Sequence, residues 1–533
     1  MTRTSDFKLF RLAADNTPYR KLPALAGRRV DQGGRTVLCV EPDALRILAA
    51  AAFHDVSFFL RKPHLDALAA IPLDPAASEN DRFVAAALVR NAVLSAGGEL
   101  PLCQDTGIAT IIAHKGENVF TGADDVACLA CGVRETWQRD NLRYSVVAPR
   151  SMTVEENTEN NLPAQIDIAA VPGSEYHFLF IAKGGGSSNK TMLCQEAPGI
   201  LDDQRLARFL AEKIKALGVA ACPPYHLAVV IGGLSPEMTL KTVKLATAGY
   251  LDTLPDHGDA TGSAFRDHAW ERKAMELCEA SGLGAQFGGR HFALDTRVIR
   301  LPRHAGSCPI GIGISCSADR NIRGKITAEG VFLEKLETDL SGYLPGLTDR
   351  TSAPEVRISL DQPMDEIRRQ LAACKPGTRV RLDGCLIVAR DLAHARLHAG
   401  LAGGKPLPEY LKQHPIYYAG PAKTPPGMAS GSFGPTTAQR MDMFIRDFMQ
   451  RGASLVTLAK GQRSAEFTAC CREFGGFYLG TIGGAAALVA SENIIRSEIV
   501  DFEDLGMEAV RRITVKDLPA FVICDDKGNN LYA

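Results

Sequence analysis

The feature that most constrains this sequence is a repeated order of apolar strand, glycine-rich loop and helix. Residues 177–182 form an apolar run that is followed at once by a lysine and three glycines. A second apolar run, 226–231, is followed by two glycines and then by Ser235-Pro236-Glu237. A serine before a proline and an acidic residue is typical of a helix start. Short strands that alternate with helices in this way predict an α/β fold.

The chain has 533 residues, which is long enough for two or more domains. Residues 338–354 are rich in turn formers and lack periodicity, so we place a domain boundary near residue 345. The sequence therefore predicts two domains. Residues 1–345 would form a larger N-terminal α/β domain with many helices, and residues 346–533 a compact C-terminal α/β domain.

Composition and charge exclude several classes of partner. The net charge is −1, so no overall electrostatic field attracts nucleic acid or a membrane surface. The most apolar stretches, such as 483–490, are too short to span a bilayer. The N-terminus lacks the apolar core of a secretory signal, so we expect a cytoplasmic protein whose 14 cysteines stay reduced.

The loop Lys183-Gly-Gly-Gly-Ser-Ser-Asn-Lys-Thr191 is rich in hydrogen-bond donors. It does not match the phosphate loop of nucleotide-binding enzymes, because Asn189 stands where that pattern needs a glycine. Consecutive glycines and serines still allow several backbone N–H groups to point at one anion. We interpret this loop as an anion site; a flexible turn is the alternative.

Two further segments carry cations that would suit a carboxylate. Gly434-Pro435-Thr436 precedes a strongly amphipathic stretch, and we predict a helix whose N-terminus attracts an anion. Arg440 lies one turn into that helix, where it would bind the same carboxylate or stay solvated at the surface. Arg390 follows a strand-like run and is suited to enter a cleft, whereas Arg396 and His398 are predicted to lie on a helix surface.

Several motifs of this sequence together resemble those of one family, the class I (iron–sulfur) fumarate hydratases, in their single-chain form. The resemblance covers nearly the whole chain, and the motifs that carry it are Leu102-Cys-Gln-Asp-Thr-Gly107, Ala182-Lys-Gly-Gly-Gly-Ser-Ser-Asn-Lys190, Gly232-Gly-Leu-Ser-Pro-Glu-Met238, Pro302-Arg-His304, Ser315-Cys-Ser-Ala-Asp-Arg-Asn321, Ala389-Arg-Asp-Leu-Ala-His-Ala-Arg396, Ser432-Phe-Gly-Pro-Thr-Thr437 and Lys460-Gly461.

The resemblance implies a 4Fe-4S cluster held by Cys103, Cys222 and Cys316. Three thiolates on four irons would leave one iron open, and that iron would act as a Lewis acid on the substrate hydroxyl. The family resemblance selects these three cysteines, since no local spacing relates them to one another. The implied activity is the reversible hydration of fumarate to (S)-malate, a hydro-lyase reaction of the tricarboxylic acid cycle.

The resemblance also implies the residues that bind the dicarboxylate substrate. Positive charge must stabilise the electron-rich carboxylate that develops when carbon 3 loses its proton. The implied carboxylate-binding residues are Arg143, Arg390, Arg440 and Lys460, and the implied hydrogen-bonding residues are Gln104, Gly186, Asn189, Lys190, Thr191, Gln195 and Thr437.

By the same resemblance the proton carriers are Asp105, His304 and Thr436. We expect Asp105 and His304 on the hydroxyl side and Thr436 facing carbon 3. A carboxylate beside an imidazole can tune both groups towards neutrality, whereas a threonine needs an adjacent group to make it basic. Without the resemblance, the sequence would predict that His304 is a surface loop residue. The resemblance also implies a homodimer.

Other functions remain open from the sequence. Tartrate dehydratase and mesaconate hydratase resemble the same family, and one sequence does not separate their pockets from that of a fumarate hydratase. A regulatory iron–sulfur protein that binds nucleic acid is disfavoured, because the sequence has no basic stretch interleaved with aromatic residues. A phosphate-loop nucleotide enzyme is disfavoured by Asn189.

Overall fold

The computed structural model describes residues 8–24, 27–344 and 355–533, and it has the mixed α/β, two-domain architecture that the sequence predicts. The predicted boundary near 345 lies outside the described residues and stays a prediction. None of the described helices is long and apolar enough to cross a lipid bilayer. The helices are α1 (Pro42–Phe58), α2 (Lys62–Ala70), α3 (Glu79–Ser95), α4 (Asp125–Arg139), α5 (Gly185–Ser188), α6 (Asp203–Leu217), α7 (Pro236–Thr247), α8 (His268–Ala280), α9 (Met364–Leu371), α10 (Asp391–Ala402), α11 (Tyr410–Gln413), α12 (Asp442–Met449), α13 (Ala465–Phe474) and α14 (Ala486–Leu488).

The strands of the N-terminal domain are β1 (Tyr19–Lys21), β2 (Arg28–Gln32), β3 (Arg35–Cys39), β4 (Ile108–Gly116), β5 (Val119–Phe120), β6 (Val147–Pro149), β7 (Glu155–Asn157), β8 (Gln165–Val171), β9 (Tyr176–Lys183), β10 (Met192–Glu196), β11 (Tyr225–Gly233), β12 (Phe265–Arg266), β13 (Ala293–Arg303), β14 (Cys308–Ser315), β15 (Asn321–Thr327) and β16 (Gly330–Glu334). Those of the C-terminal domain are β17 (Val356–Ser359), β18 (Arg379–Val388), β19 (Ile416–Tyr417), β20 (Ala419–Pro421), β21 (Phe433–Pro435), β22 (Val456–Ala459), β23 (Phe477–Gly480), β24 (Ile494–Asp501) and β25 (Val510–Cys524).

The first sheet of the N-terminal domain has the order β1-β16-β15-β9-β4-β8. Its neighbours run antiparallel except for the parallel pair β4 and β8. Helices α1 and α4 cover one face, where the ring of Phe53 lies 5.5 Å from that of Trp137 and 5.8 Å from that of Phe180. Burial of such large rings is a major stabilising term for a layer of helices on a sheet.

The second sheet has the order β10-β14-β11-β13-β12, and helix α7 packs closely on it. A Cβ on Gly311 or Gly313 of β14 would lie 2.7 or 2.5 Å from a methyl group of Val243, so these glycines allow the close approach of the helix. Helix α7 begins as predicted, because the Ser235 hydroxyl accepts a hydrogen bond from the Met238 N–H at 3.2 Å.

The sheet of the C-terminal domain has the order β17-β18-β19-β22-β23-β25-β24 and closes on itself. It closes because the 15-residue strand β25 pairs with β18 along most of its length and with β23 at its end. Strands β18, β19, β22 and β23 run parallel, so their carboxyl ends meet at one rim. Ligand-binding residues of parallel sheets gather at such a rim.

The segment after Gly434 differs from the predicted helix start. Residues up to Pro435 form strand β21, a 3₁₀ turn spans Ala438–Met441, and the α-helix α12 begins only at Asp442. The predicted helix N-terminus at 434–436 is therefore wrong. The backbone of this segment is used in pairing instead, since Gly434 and Pro435 pair with β20 and the Thr436 N–H donates to the Tyr418 carbonyl at 2.8 Å. The Ala438 N–H then donates to the carbonyl of Lys460, which follows β22, at 2.9 Å. The predicted apolar face of α12 is buried.

His394 is a fully buried histidine of α10, and burial lowers its pKa to about 4. Its Nδ1 bonds to the Arg390 carbonyl at 2.9 Å, and Nε2 is buried without a partner among the described residues. Protonation would therefore place an uncompensated charge in the core. Arg396 and His398 of the same helix lie towards the surface, as predicted, and pair with Asp504 and Asp447.

We expect His394 to make stability fall as the pH drops. Its pKa in the unfolded chain is about 6.5, so the unfolded state gains a proton first, and stability present above pH 6.5 is lost towards pH 4. Between pH 7 and pH 5 the loss from this residue should be about 2 kcal/mol. Urea unfolding of His394→Asn should show a correspondingly weaker pH dependence than the wild type. His398→Asn is the control, and an equal change in both variants would contradict the assignment.

Candidate active site

Loops that carry Cys103, Cys222 and Cys316 converge in the N-terminal domain. Cys222 precedes β11 and Cys316 directly follows β14, and because these strands are antiparallel the two cysteines lie at the same end of the sheet. The Ser317 N–H donates to the Cys222 carbonyl at 3.1 Å. Cys103 precedes β4, and its charge acts on Cys222 together with that of Cys316. Three thiols from distant parts of the chain are thus neighbours.

Lys460 brings positive charge from the C-terminal domain to these thiols. It follows β22 at the rim of the closed sheet, and its Nζ donates to Cys222 Sγ at 2.9 Å. Burial raises the pKa of Cys222 to about 11, although Lys460 opposes this rise. Burial lowers the pKa of Lys460, but the charges of Cys222 and Cys103 outweigh it and leave that pKa raised. The lysine and the thiols therefore favour each other's charged forms.

Asp105 lies beside the thiols and is held from two sides. Its Oδ2 accepts the Gly185 N–H at 2.9 Å, and its Oδ1 lies 3.2 Å from an Nη of Arg143. Burial raises the pKa of Asp105, but the cations Arg143, Arg320 and Lys460 outweigh it and hold this pKa below its usual range. Asp105 is consequently a carboxylate at neutral pH.

Gln104 joins the cysteine loop to the C-terminal domain. It is buried, and its Nε2 donates to the Pro435 carbonyl at 3.0 Å, directly before Thr436. The backbone of Thr436 and Thr437 is fixed in turn by pairing with Lys460. The contact between domains therefore aligns the cysteine loop with the threonines.

Two arginines flank the threonines. Arg440 forms an ion pair with Asp391, and its Nη1 donates to Thr436 Oγ1 at 3.0 Å. Arg390 lies at the end of β18, buried, with an Nη 2.6 Å from a carboxylate oxygen of Glu508. Burial lowers the pKa of Arg390 to about 10, and the charges of Arg143 and Arg440 act in the same direction. Three guanidinium groups thus share one electrostatic environment.

Only the first part of the glycine loop, up to Gly186, reaches the cluster of thiols and cations. A Cβ on Gly186 would lie 3.6 Å from Lys460 Nζ. Beyond it, Asn189 is exposed, Lys190 donates to the Ala216 carbonyl at 3.5 Å, and Thr191 lies beside β14. Burial lowers the pKa of Lys190. The substrate contacts predicted for these last three residues stay predictions.

The structure does not bring His304 or Gln195 to this cluster within one chain. His304 is exposed in the turn between β13 and β14, whereas Cys316 follows the other end of β14. Eight residues of strand separate them, roughly 25 Å. Gln195 pairs with Pro309, near the His304 end. The predicted pairing of Asp105 with His304 is therefore not found within the described chain.

A buried histidine pair supports the Cys316 loop and was not foreseen from the sequence. His64 Nδ1 bonds to His226 Nε2 at 2.8 Å, and His64 Nε2 bonds to the Ser317 carbonyl at 3.0 Å. His226 Nδ1 bonds to Asp295 at 2.8 Å. Burial lowers the pKa of His64 to about 4, so the pair holds the loop without adding a charge on that ring.

Gln286 is a second supporting residue that the sequence did not reveal. It is buried with φ 86°, in the left-handed region that costs a non-glycine residue energy. Its Nε2 donates to the carbonyls of Pro223 at 3.0 Å and Gly483 at 2.9 Å, and its Oε1 accepts the Gly483 N–H at 2.8 Å. Gln286 thus ties the loop after Cys222 to the C-terminal domain. Its place in a glycine-rich stretch is the only signal for it.

We expect Gln286→Leu to lower the free energy of unfolding by about 3 kcal/mol. The change keeps much of the side-chain volume and removes three buried hydrogen bonds, each of which contributes about 1 kcal/mol. Urea unfolding monitored by circular dichroism measures the loss. Gln370→Leu, at a half-buried position of α9, is the control and should cost less than about 0.5 kcal/mol. Equal losses in both variants would contradict the role of Gln286.

Two family models match this chain. The family described as "Fumarate hydratase (Fumerase)" matches residues 47–325, and the family described as "Fumarase C-terminus" matches residues 330–533. The two matches together cover most of the chain and contain all the cysteines, cations and threonines described above.

Relatives extend over nearly the full length. "Fumarate hydratase 2" of Leishmania major is 53% identical over 95% of this chain and 89% of its own length. "Fumarate hydratase class I, anaerobic" of Escherichia coli is 52% identical over 98% of this chain and 96% of its own. A "Putative L(+)-tartrate dehydratase subunit alpha" of Methanocaldococcus jannaschii is 28% identical over 46% of this chain and 84% of its own. With identity above half along its length, this chain belongs to the single-chain class I fumarate hydratases, which are hydro-lyases.

Proposed function

We propose that this enzyme interconverts fumarate and (S)-malate at a 4Fe-4S cluster held by Cys103, Cys222 and Cys316. The observation that carries the proposal is the 2.9 Å contact between Lys460 Nζ and Cys222 Sγ. It places Lys460 of one domain, the cation proposed to bind a substrate carboxylate, against a thiol of the other. A homodimer, which the resemblance implies, and a cytoplasmic location are part of the proposal.

The residues at this point fit an iron–sulfur cluster. Thiolate sulfur is the usual ligand of such clusters. Among the described residues, only His64, His226 and Asp319 offer three ligand atoms that all lie within 4.8 Å of one another. The three thiols are therefore further apart than the ligands of a single metal ion would be. Gly483 leaves space beside Cys222, since a Cβ there would lie 2.2 Å from the sulfur. When bound, the cluster would supply a Lewis-acidic iron without a protein ligand.

The cations would orient the substrate by its two carboxylates. Lys460 and Arg143 lie on the thiol side with Asp105, and Arg440 and Arg390 lie on the threonine side. Two carboxylates held at opposite ends fix the carbon chain between them, which aligns carbons 2 and 3 with the proton carriers. The same cations would stabilise the charge that develops on the carboxylate next to carbon 3.

Asp105 and Thr436 would move the protons. Asp105 is ionised at neutral pH because of its three neighbouring cations, so it can accept a proton from the attacking water in the hydration direction. Thr436 Oγ1 accepts a hydrogen bond from Arg440, whose charge stabilises the oxygen as the hydroxyl gives up its proton. Arg440 is thus the adjacent group that a threonine needs in order to act as a proton carrier.

The experiment that tests the proposed substrate is turnover after anaerobic reconstitution with iron and sulfide. (S)-Malate should yield fumarate, whose formation is followed by its ultraviolet absorbance. The kcat/KM for (S)-malate should be higher than the kcat/KM for tartrate or for citramalate. A tartrate preference would favour the tartrate dehydratase alternative, which the relative from Methanocaldococcus jannaschii supports over part of the chain.

Thr436→Val should lower kcat by at least about 100-fold with a smaller change in KM, because the variant keeps its volume and loses the proton-carrying hydroxyl. Steady-state kinetics on malate measure the effect. Thr514→Val, on β25 and half-buried, is the matched control and should stay near wild type. Near-full turnover in Thr436→Val would exclude the threonine as proton carrier.

A role for His304 in this site requires a second copy of the chain, since β14 separates His304 from the thiols within one chain. We therefore expect a symmetric dimer to complete each site with His304 of the partner subunit. Differently tagged Asp105→Asn and His304→Asn chains, each inactive as homodimers, should regain activity when co-expressed and purified as heterodimers.

The recovered activity of these heterodimers should be about half that of the wild type, because one of the two sites is then intact. If both residues act within one chain, every site of the heterodimer carries one substitution and no activity returns. Cluster content of each homodimer is measured in parallel, so that loss of the cofactor is not taken for loss of a proton carrier.

A further inference from the structure

A cavity separate from the thiols lies between the first sheet of the N-terminal domain and helix α7. Its volume is about 780 Å³, within the range of small-molecule sites. One wall is the face of strands β4 and β9 that carries Ile112 and Ile181, and the other is the inner side of α7 with Met238, Leu240 and Leu245. None of the three cysteines, Asp105, Arg143 or Lys460 lines it.

One cation in the wall of this cavity has no hydrogen bond and no ion pair among the described residues. Three lysines line the cavity, and two of them are engaged: Lys241 lies 3.6 Å from a carboxylate oxygen of Asp167, and Lys244 donates to Gln165 at 2.9 Å. For Lys183 the described part of the chain provides neither a hydrogen bond nor an ion pair. An amine without a partner at the edge of an apolar space is a fit for an anion.

The surroundings of Lys183 match a single carboxylate. Ser188 and Thr191 line the same cavity, and their hydroxyl groups make no hydrogen bond within the described residues. Burial lowers the pKa of Lys183 to about 8, while the charges of Cys316 and Asp319 act in the opposite direction, and the amine is still mostly protonated at neutral pH. Glu237 also lines the cavity, and the three lysines leave the lining with a net positive charge.

We propose that this cavity binds an amphipathic monocarboxylate, with the carboxylate on Lys183 and the hydrocarbon chain between the sheet and α7. The mostly apolar walls disfavour a short dicarboxylate, whose second charge would be buried without a partner. The site is thus chemically distinct from the proposed substrate site, although the loop that carries Ser188 and Thr191 also carries Gly186.

Isothermal titration calorimetry with decanoate tests the proposal on the anaerobically reconstituted enzyme. One saturable site per chain is expected. Lys183→Met should weaken decanoate binding by about tenfold or more, and Lys183→Arg should keep it within about threefold, because the charge is retained. Lys241→Met is the matched control, since Lys241 lines the same cavity but is already paired; it should bind within about threefold of wild type.

Two further measurements separate the carboxylate contact from the apolar one. Binding of 1-decanol should not respond to Lys183→Met, and Leu240→Trp, which fills the cavity from α7, should abolish binding of both ligands. Thermal unfolding of each variant checks that it is folded. Absence of a saturable decanoate site would overturn the proposal, as would equal affinity in Lys183→Met and wild type. A second copy of the chain covering the cavity would produce the first of these results.

Discussion

A buried ammonium group against buried thiols is the interaction on which the rest of this structure depends. Burial raises the pKa of the Cys222 thiol, and the charge of Lys460 opposes this rise, so the lysine favours the thiolate form that a cluster ligand needs. Burial likewise lowers the pKa of Lys460, and the charges of Cys222 and Cys103 outweigh this effect. Each group offsets the cost of burying the other. Since Cys222 and Lys460 belong to different domains, their contact also helps to hold the two domains together.

The fold supplies this contact through the ends of strands. Antiparallel pairing brings the beginning of β11 beside the end of β14, and so joins Cys222 to Cys316. Parallel pairing in the other domain brings the carboxyl ends of β18, β19 and β22 to one rim, and so places Arg390 and Lys460 at the same end of that sheet. Two buried side-chain amides then connect the domains. Gln104 donates a hydrogen bond to the Pro435 carbonyl, and Gln286 donates one to the Gly483 carbonyl.

Sequence reasoning predicted local structure where a local cause exists. The start of α7 follows from a serine cap, and the buried face of α12 follows from its apolar stripe. It failed at Gly434–Thr436, where pairing with β20 and with Tyr418 overrides the tendency to begin a helix. Gln286 and the pair His64 and His226 leave no motif, because their partners are distant backbone groups.

The choice of three cysteines among 14 depended on family resemblance, because only the folded chain makes them neighbours. The resemblance also named His304, which the fold of a single chain sets at the far end of a strand. Local patterns therefore predict elements, and resemblance predicts members of a site. Neither tells which chain of an assembly supplies a given residue.

The central claim is that Cys103, Cys222 and Cys316 together hold one cluster. The direct test is anaerobic reconstitution followed by iron and sulfide analysis and electron paramagnetic resonance of the reduced protein. The account predicts about four irons per chain in the wild type. It predicts the same content in Cys308→Ala, whose thiol is buried in β14 away from the other three, and loss of the cluster in Cys103→Ala, Cys222→Ala and Cys316→Ala. A full cluster in any of these three variants would contradict it.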